Sequence, residues 1–182
     1  MPLHRLHLWC QNIVPQKTVV LVVGTCNASC PNGIIHRIEN SVPTAGHGNR
    51  RYEHLHNKLE LWNLPYSRVV YYDIDTVLKP PVTRCAAQCH CQFCAVRDPV
   101  ATWPQKSKTY FNGGFLVLSP NQAEYRQLRK RTVTGRRFAE QDVLNDHFKN
   151  RWCKLKKECN WLHHKENHPH ALKDPTVWMV HE

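Results

Sequence analysis

Two carboxylates one residue apart, Asp73 and Asp75, close an apolar and aromatic run, Val69-Val70-Tyr71-Tyr72. On an extended strand alternate side chains share a face, so both acids are expected to leave the strand end on one side. Carboxylates held that close repel unless positive charge stands between them, and a divalent cation is the usual answer. Solvated turn acids are the bland alternative, but the run ahead of them is too apolar for a surface loop.

Three further strings place polar groups at the ends of elements. Tyr110-Phe111-Asn112-Gly113-Gly114-Phe115 sets a carboxamide before two glycines at a strand start. Backbone approaches a ligand closely there and Asn112 can bond hydroxyls, although a tight turn uses the same residues. Phe138 to Asn145 puts Glu140, Gln141 and Asp142 at the start of a helix with an apolar face. Ordinary capping and first-turn acids give the same pattern. Val177-Trp178-Met179-Val180-His181 delivers an imidazole at a strand end.

The elements that must position these groups follow from apolar period and breakers. Lys17 to Gly24 reads as a buried strand, preceded by a short helix over His4 to Ile13. Ile34 to Ile38 is a weaker strand after the turn at Pro31-Asn32-Gly33, and Ser41 to Asn49 is a loop. Leu55, Leu59 and Trp62 repeat at helical spacing within Tyr52 to Trp62, which Pro65 ends. Strands are expected at Phe93–Val96, Gly114–Leu118 and Val177–Val180. Helices are expected over Pro120–Arg131, capped by Asn121, and over Phe138–Phe148, with Val143, Leu144 and Phe148 inward. Strands alternating with helices predict one α/β domain over residues 1–182 with a mostly parallel central sheet.

Taken together, the four strings resemble glycosyltransferase family 8, the glycogenin-like enzymes that use nucleotide sugars. Lys58-Leu59-Glu60-Leu61-Trp62 leads into the Asp73-Ile74-Asp75 strand as that family's helix leads into its Asp-x-Asp. Phe111-Asn112-Gly113-Gly114 is similar to its Phe-Asn-(Ala/Ser/Gly)-Gly, and Glu140-Gln141-Asp142-Val143-Leu144-Asn145 to its acid-Gln-x-x-Leu-Asn. The resemblance implies a Rossmann-like nucleotide-sugar transferase domain of GT-A type. It implies that Asp73, Asp75 and His181 hold Mn²⁺ or Mg²⁺ against the diphosphate of a UDP-sugar, with Asp73 also touching the ribose. Lys58 is implied near the donor, Asn112, Gly113 and Gly114 along the sugar, and Glu140 and Gln141 at the anomeric carbon. A retaining transfer of a hexosyl or glucuronosyl group follows, to a carbohydrate, protein or lipid acceptor. Gln141 is a poor nucleophile, which favours front-face attack. The family pattern places a nucleobase-binding strand before residue 17 and a Gly, then Lys-Pro-Trp, tail after His181. Relative to that pattern both ends are expected to be missing. The resemblance also allows a homodimer and implies no nucleic-acid partner.

The Asp-x-Asp-Thr-Val-Leu string also resembles haloacid-dehalogenase-type phosphatases, with Asp73 as nucleophile and Asp75 as general acid/base. That reading lacks a downstream acidic strand end and leaves the Asn-Gly-Gly string idle. A basic, zinc-containing nucleic-acid-binding module is the other alternative.

Net charge is +11 with a pI near 9.4, which calls for an anionic partner: a nucleotide or phosphate, an acidic polymer, a membrane surface or nucleic acid. Part of that charge, from Arg126 to Arg137, falls in and after a helix and reads as a solvated face. There is no run of transmembrane length, and Met1 to Arg5 opens without the apolar core of a signal peptide. The Golgi lumen, by likeness to plant members, and the cytosol, by likeness to glycogenin, both stay open. Nine cysteines leave at least one without an intramolecular partner. Cys85, Cys89, Cys91 and Cys94 have thiols enough for zinc but not the usual Cys-x-x-Cys knuckles, and Cys94 is expected in a buried strand.

Overall fold

The chain around the two aspartates is organised by one central strand. In the computed structural model, which describes residues 18–23, 33–38, 55–73, 75–78, 83–98, 109–131, 139–162, 170, 173–177 and 179–181, the strands in chain order begin with β1 (Thr18–Val23), β2 (Gly33–Ile38), β3 (Val69–Tyr72) and β4 (Thr76–Leu78). They continue with β5 (Phe93–Arg97), β6 (Phe111–Leu118), β7 (Cys153–Leu155), β8 (Trp161–Leu162) and β9 (Met179–His181). The α-helices are α1 (Thr83–Ala87), α2 (Gln122–Arg129) and α3 (Ala139–His147). Residues Leu55–Asn63 and Lys157–Cys159 wind as 3₁₀ helices. The expected helix at 4–13 and loop at 41–49 lie outside the described residues.

Strand β6 pairs antiparallel with β3 and β5, and β5 pairs in parallel with β7. A second sheet joins β4 antiparallel to β9 and β9 parallel to β8, while β1 and β2 form a parallel pair. The sheets are therefore mixed, not mostly parallel. An unbroken apolar run reports burial on both faces and says nothing of direction, and antiparallel β6 is buried on both.

The two faces of the four-stranded sheet are filled differently. Val69 and Tyr71, Phe93 and Ala95, and Leu116 and Leu118 face a core with Leu59, Trp62, Leu128, Leu144 and Phe148 from the helices. Val70 and Tyr72, Cys94 and Val96, and Phe115 and Val117 face a second cluster with Cys85, Cys89, Leu155 and Cys159. This is two-residue alternation with both sides covered. On the helical side the rings of Trp62, Phe93, Phe111, Phe148 and Trp152 are in mutual contact, with Phe93 and Phe148 centroids 4.4 Å apart. On the other side Cys85–Cys159 ties α1 to the 3₁₀ segment 157–159, while Cys89–Cys94 and Cys91–Cys153 tie the loop before β5 to β5 and to β7. All six described cysteines are paired, so the zinc alternative for this cluster gives way to covalent cross-links. Cys10, Cys26 and Cys30 lie outside the described residues.

The spacing within Tyr52 to Trp62 predicts a helix, and Leu55–Asn63 winds as 3₁₀. Every residue from Asn57 to Trp62 is buried, charged ones included, so packing on all sides, not an amphipathic stripe, sets its winding. Helix α2 starts where the capping residue predicts: Asn121 Oδ1 accepts from the Ala123 and Glu124 amides at 2.8 and 3.1 Å. Arg126, Arg129, Lys130 and Arg131 are exposed, as a solvated face should be.

Candidate active site

Strand β6 is irregular where its glycines fall. Ala95 is partnered with Leu116, but Arg97 with Phe111, so three more residues of β6 than of β5 separate the two pairs. Asn112-Gly113-Gly114 is thus a bulge, and it reverses the alternation: Phe111 packs on the helical side while Phe115 packs among the cysteines. The tight-turn alternative correctly sensed irregular backbone. What only the fold shows is that the irregularity sits inside a central strand.

The bulge is held by the start of α3. The Gly113 amide donates to Gln141 Oε1 at 2.8 Å, Tyr110 Oη donates to Asp142 Oδ1, and Asn145 clamps Phe111 from both sides, accepting from its amide at 2.8 Å and donating to its carbonyl at 2.9 Å. The acid-Gln-x-x-Leu-Asn string is therefore a fastening as well as a source of polar groups. Gln141 Nε2 donates to Asp98 Oδ2 at 3.0 Å, which fixes its carboxamide at both ends.

Lys58 is the hub. Its side chain is 4% exposed and its ammonium lies 3.0 Å from Asp73 Oδ1, 3.0 Å from Glu140 Oε1 and 3.1 Å from the Gly113 carbonyl. It also sits 5.1 Å above the Tyr71 ring, whose hydroxyl donates to Asp73 Oδ1. Burial alone would lower the Lys58 pKa, but the negative charges of Asp73 and Glu140 hold it well above the ordinary lysine value. Burial pushes the Glu140 carboxyl up against the opposing pull of Lys58. Its Oε2 is enclosed with no hydrogen-bond partner. Burial, then the charge of Asp73, likewise pushes the Tyr71 hydroxyl well up, so it is a neutral donor.

The acid pair is not set by strand alternation. Strand β3 ends at Tyr72; the Asp73 amide still bonds the Gly114 carbonyl at 2.9 Å, and Thr76 Oγ1 closes a turn onto the Asp73 carbonyl at 2.6 Å. Asp75 lies in this turn as the chain leaves one sheet for β4 of another. There the register pairs Thr76 with His181, so the backbone brings residue 181 beside the residue that follows Asp75. Lys58 carries one positive charge against the two carboxylates of Asp73 and Glu140. The oxygen ligands that Asp73 and Asp75 carry are of the kind a hard divalent cation takes.

Asn112 does not join the Lys58 group. Its Oδ1 accepts from the Gly114 amide at 2.7 Å and from Asn160 Nδ2 at 2.8 Å. Asp98 and Asn160 are the polar residues that sequence reasoning passed over. Both are buried, at 9% and 2% exposure. A lone Asp after an apolar strand signals little, and Asn160 stands in no motif; buried polarity was the available clue, and it needs the fold.

Solved glycosyltransferases have a similar fold. The galactosyltransferase LgtC, solved with donor and acceptor sugar analogues, matches with a TM-score of 0.59 at 17% identity, covering 84% of this chain and 66% of that one. Mouse xyloside xylosyltransferase 1 matches with a TM-score of 0.56 at 12% identity, over 100% of this chain and 92% of its own. The fold is that of a GT-A glycosyltransferase, an α/β domain. Residues 32–181 match the model of glycosyl transferase family 8, and the chain belongs to that family. Galactinol synthase 5 of Arabidopsis thaliana is 29% identical over 149 residues, 64% of this chain and 45% of its own length. Galactinol synthase 1 of Solanum lycopersicum is 34% identical over 115 residues, 52% of this chain and 35% of its own. The chain thus spans less than half the length of these relatives. Family membership sets aside the phosphatase and nucleic-acid readings.

Proposed function

We propose that the chain carries the donor site of a retaining glycosyltransferase that moves a hexosyl group from a UDP-sugar to an acceptor. The observation that carries this reading is the junction at Lys58, where the Asp-x-Asp strand, the Asn-Gly-Gly bulge and the Glu-Gln helix start meet on one ammonium. Asp73, Asp75 and His181 are the residues to hold Mn²⁺ or Mg²⁺. A bound divalent cation would lend its charge to the departing nucleoside diphosphate.

The chain's own groups narrow the chemistry. Lys58 is buried between Asp73 and Glu140, which fixes the geometry of this corner before a donor arrives. Glu140 is turned onto Lys58, and Gln141 is a neutral amide held between Gly113 and Asp98. Neither presents a carboxylate nucleophile to a sugar, so retention is better served by attack from the face the diphosphate leaves. Gly113 keeps the bulge close: a Cβ there would already touch Gln141 Oε1 and Lys58 Nζ at 3.5 Å. The galactinol synthase relatives and the galactosyltransferase of like fold make a galactosyl donor the first to test. Among the two compartments, three disulfides favour an oxidising one, the Golgi lumen.

Calorimetry of UDP with and without Mn²⁺ tests the site. Affinity for UDP should rise with Mn²⁺ and Asp75→Ala should abolish that rise with little change in melting temperature. Unchanged Mn²⁺-dependent UDP binding in Asp75→Ala would overturn the reading.

A further inference from the structure

The orientation of two carboxamides, the half-buried Asn112 and the buried Asn160, can be deduced without assuming either. The Gly114 amide can only donate, so the Asn112 atom 2.7 Å away is oxygen. The Asn160 atom 2.8 Å from that oxygen must then be a donor, Nδ2. Both lone pairs of Asn112 Oδ1 are now used, and what Asn112 has left to offer is Nδ2, a donor only. Asn160 Oδ1, at the other end of the relay, is enclosed with no hydrogen-bond partner, in a residue only 2% exposed. An unmatched buried acceptor costs free energy, so something other than its own comfort keeps this carboxamide in place.

The position of Asn160 is itself fixed. It follows the short 3₁₀ turn Lys157–Cys159, its amide bonds the Lys157 carbonyl at 3.1 Å, and the preceding Cys159 is buried and disulfide-bonded to Cys85 on α1. Covalent anchoring one residue away makes Asn160 a rigid strut against the bulge.

We infer that Asn160 is a positioning residue: it holds the Asn112 carboxamide with its oxygen turned inward, so that Asn112 meets the transferred sugar as a hydrogen-bond donor to a hydroxyl or ring oxygen. The inference rests on the donor-site reading and on the place along the sugar that the family resemblance implies for Asn112. It adds a residue that touches neither metal nor nucleotide, and it limits Asn112 to one polarity of contact.

The test uses UDP-galactose and UDP as paired probes, by calorimetry and by donor KM, on Asn112→Ala, Asn160→Ala and the double variant. Asn160→Ala should weaken UDP-galactose about fivefold to tenfold, the worth of one hydrogen bond, and leave UDP unchanged. In the Asn112→Ala background, removing Asn160 should add nothing. Asn160→Asp is nearly isosteric and keeps the test available if the alanine variant folds poorly. As a carboxylate it cannot donate to Asn112 Oδ1, but once protonated it can. Its donor KM relative to the unaltered chain should therefore recover as pH falls into the carboxyl range. A purely structural role would not give that recovery. Additive losses in the double variant, equal weakening of UDP and UDP-galactose, or no recovery of Asn160→Asp would overturn the inference and leave the donor-site reading standing. No effect of Asn112→Ala on UDP-galactose would overturn the inference together with the sugar-lining role of Asn112.

Discussion

Lys58 illustrates how one side chain joins structure to chemistry. A lysine in a 3₁₀ segment buried on every side would be a serious liability alone, yet two carboxylates and a carbonyl compensate its lost hydration. Lys58→Met leaves Asp73 and Glu140 facing each other without a cation and should cost about 3–5 kcal/mol in a denaturant melt. Adding Glu140→Gln should restore part of that loss. Strictly additive effects would show the two groups to be uncoupled. His147 is the second residue to watch. Its imidazole accepts from Arg131 Nε at 3.1 Å through Nδ1, so it is neutral and donates from Nε2 to Glu124, which Arg151 also holds at 2.8 Å. Burial lowers the His147 pKa from its ordinary 6.5 despite Glu124, and the Arg131 and Arg151 charges add to the fall. A depressed histidine leaves the unfolded chain binding the proton first, so stability is lost as pH falls below 6.5. Glu124 adds to this further down: burial opposes it, but bonds from Arg151 and His147 hold its carboxyl below the ordinary 4.5. The melting temperature should drop between about pH 7.5 and about pH 5, and less steeply in His147→Gln.

Among the elements, the bulge in β6 and the cysteine face matter most. Gly113→Ala adds a methyl at van der Waals distance from Gln141 and Lys58 and should be tolerated in both fold and UDP binding. Gly113→Leu must displace one of them, so it should lose UDP-sugar binding and stability together. Loss of sugar binding with an unchanged melt would show that the bulge has room this packing denies. The three disulfides close the other face of the sheet. Cys85–Cys159 spans 74 residues of sequence, which on the chain-entropy model contributes about 4 kcal/mol. Treatment with a thiol reductant should lower the melting temperature well beyond the effect on a chain with Cys85→Ala and Cys159→Ala already in place. Equal shifts would mean that this bridge contributes nothing.

For the whole molecule, the sheet is a partition. Helices and aromatic rings fill one side, cystine sulfur the other, and the polar groups gather where β3 and β6 meet the start of α3 and the β3–β4 turn. Ligand sites in α/β folds favour such strand ends, where side chains from several elements converge outside the packed layers. A face closed by three cross-links in a domain of this size suits an oxidising compartment. The chain should give more folded product in an oxidising host compartment than in a reducing cytosol, with alkylation and peptide mapping finding no free thiol at Cys85, Cys89, Cys91, Cys94, Cys153 or Cys159. Equal folding with those thiols reduced would remove the basis for proposing a lumenal compartment.

The sequence by itself determined the α/β class, the elements that carry the motifs, and the short list of Lys58, Asp73, Asp75, Asn112, Gly113, Glu140, Gln141 and His181 as the residues worth following. Apolar period, capping residues and motif order are local properties, and a chain displays them before it folds. Tertiary structure alone decided strand direction, the bulge that redirects Asn112, the pairing of six cysteines, and the roles of Asp98 and Asn160. Each of those depends on what lies across the sheet from a residue, and neighbours distant in the chain leave no periodic trace in it.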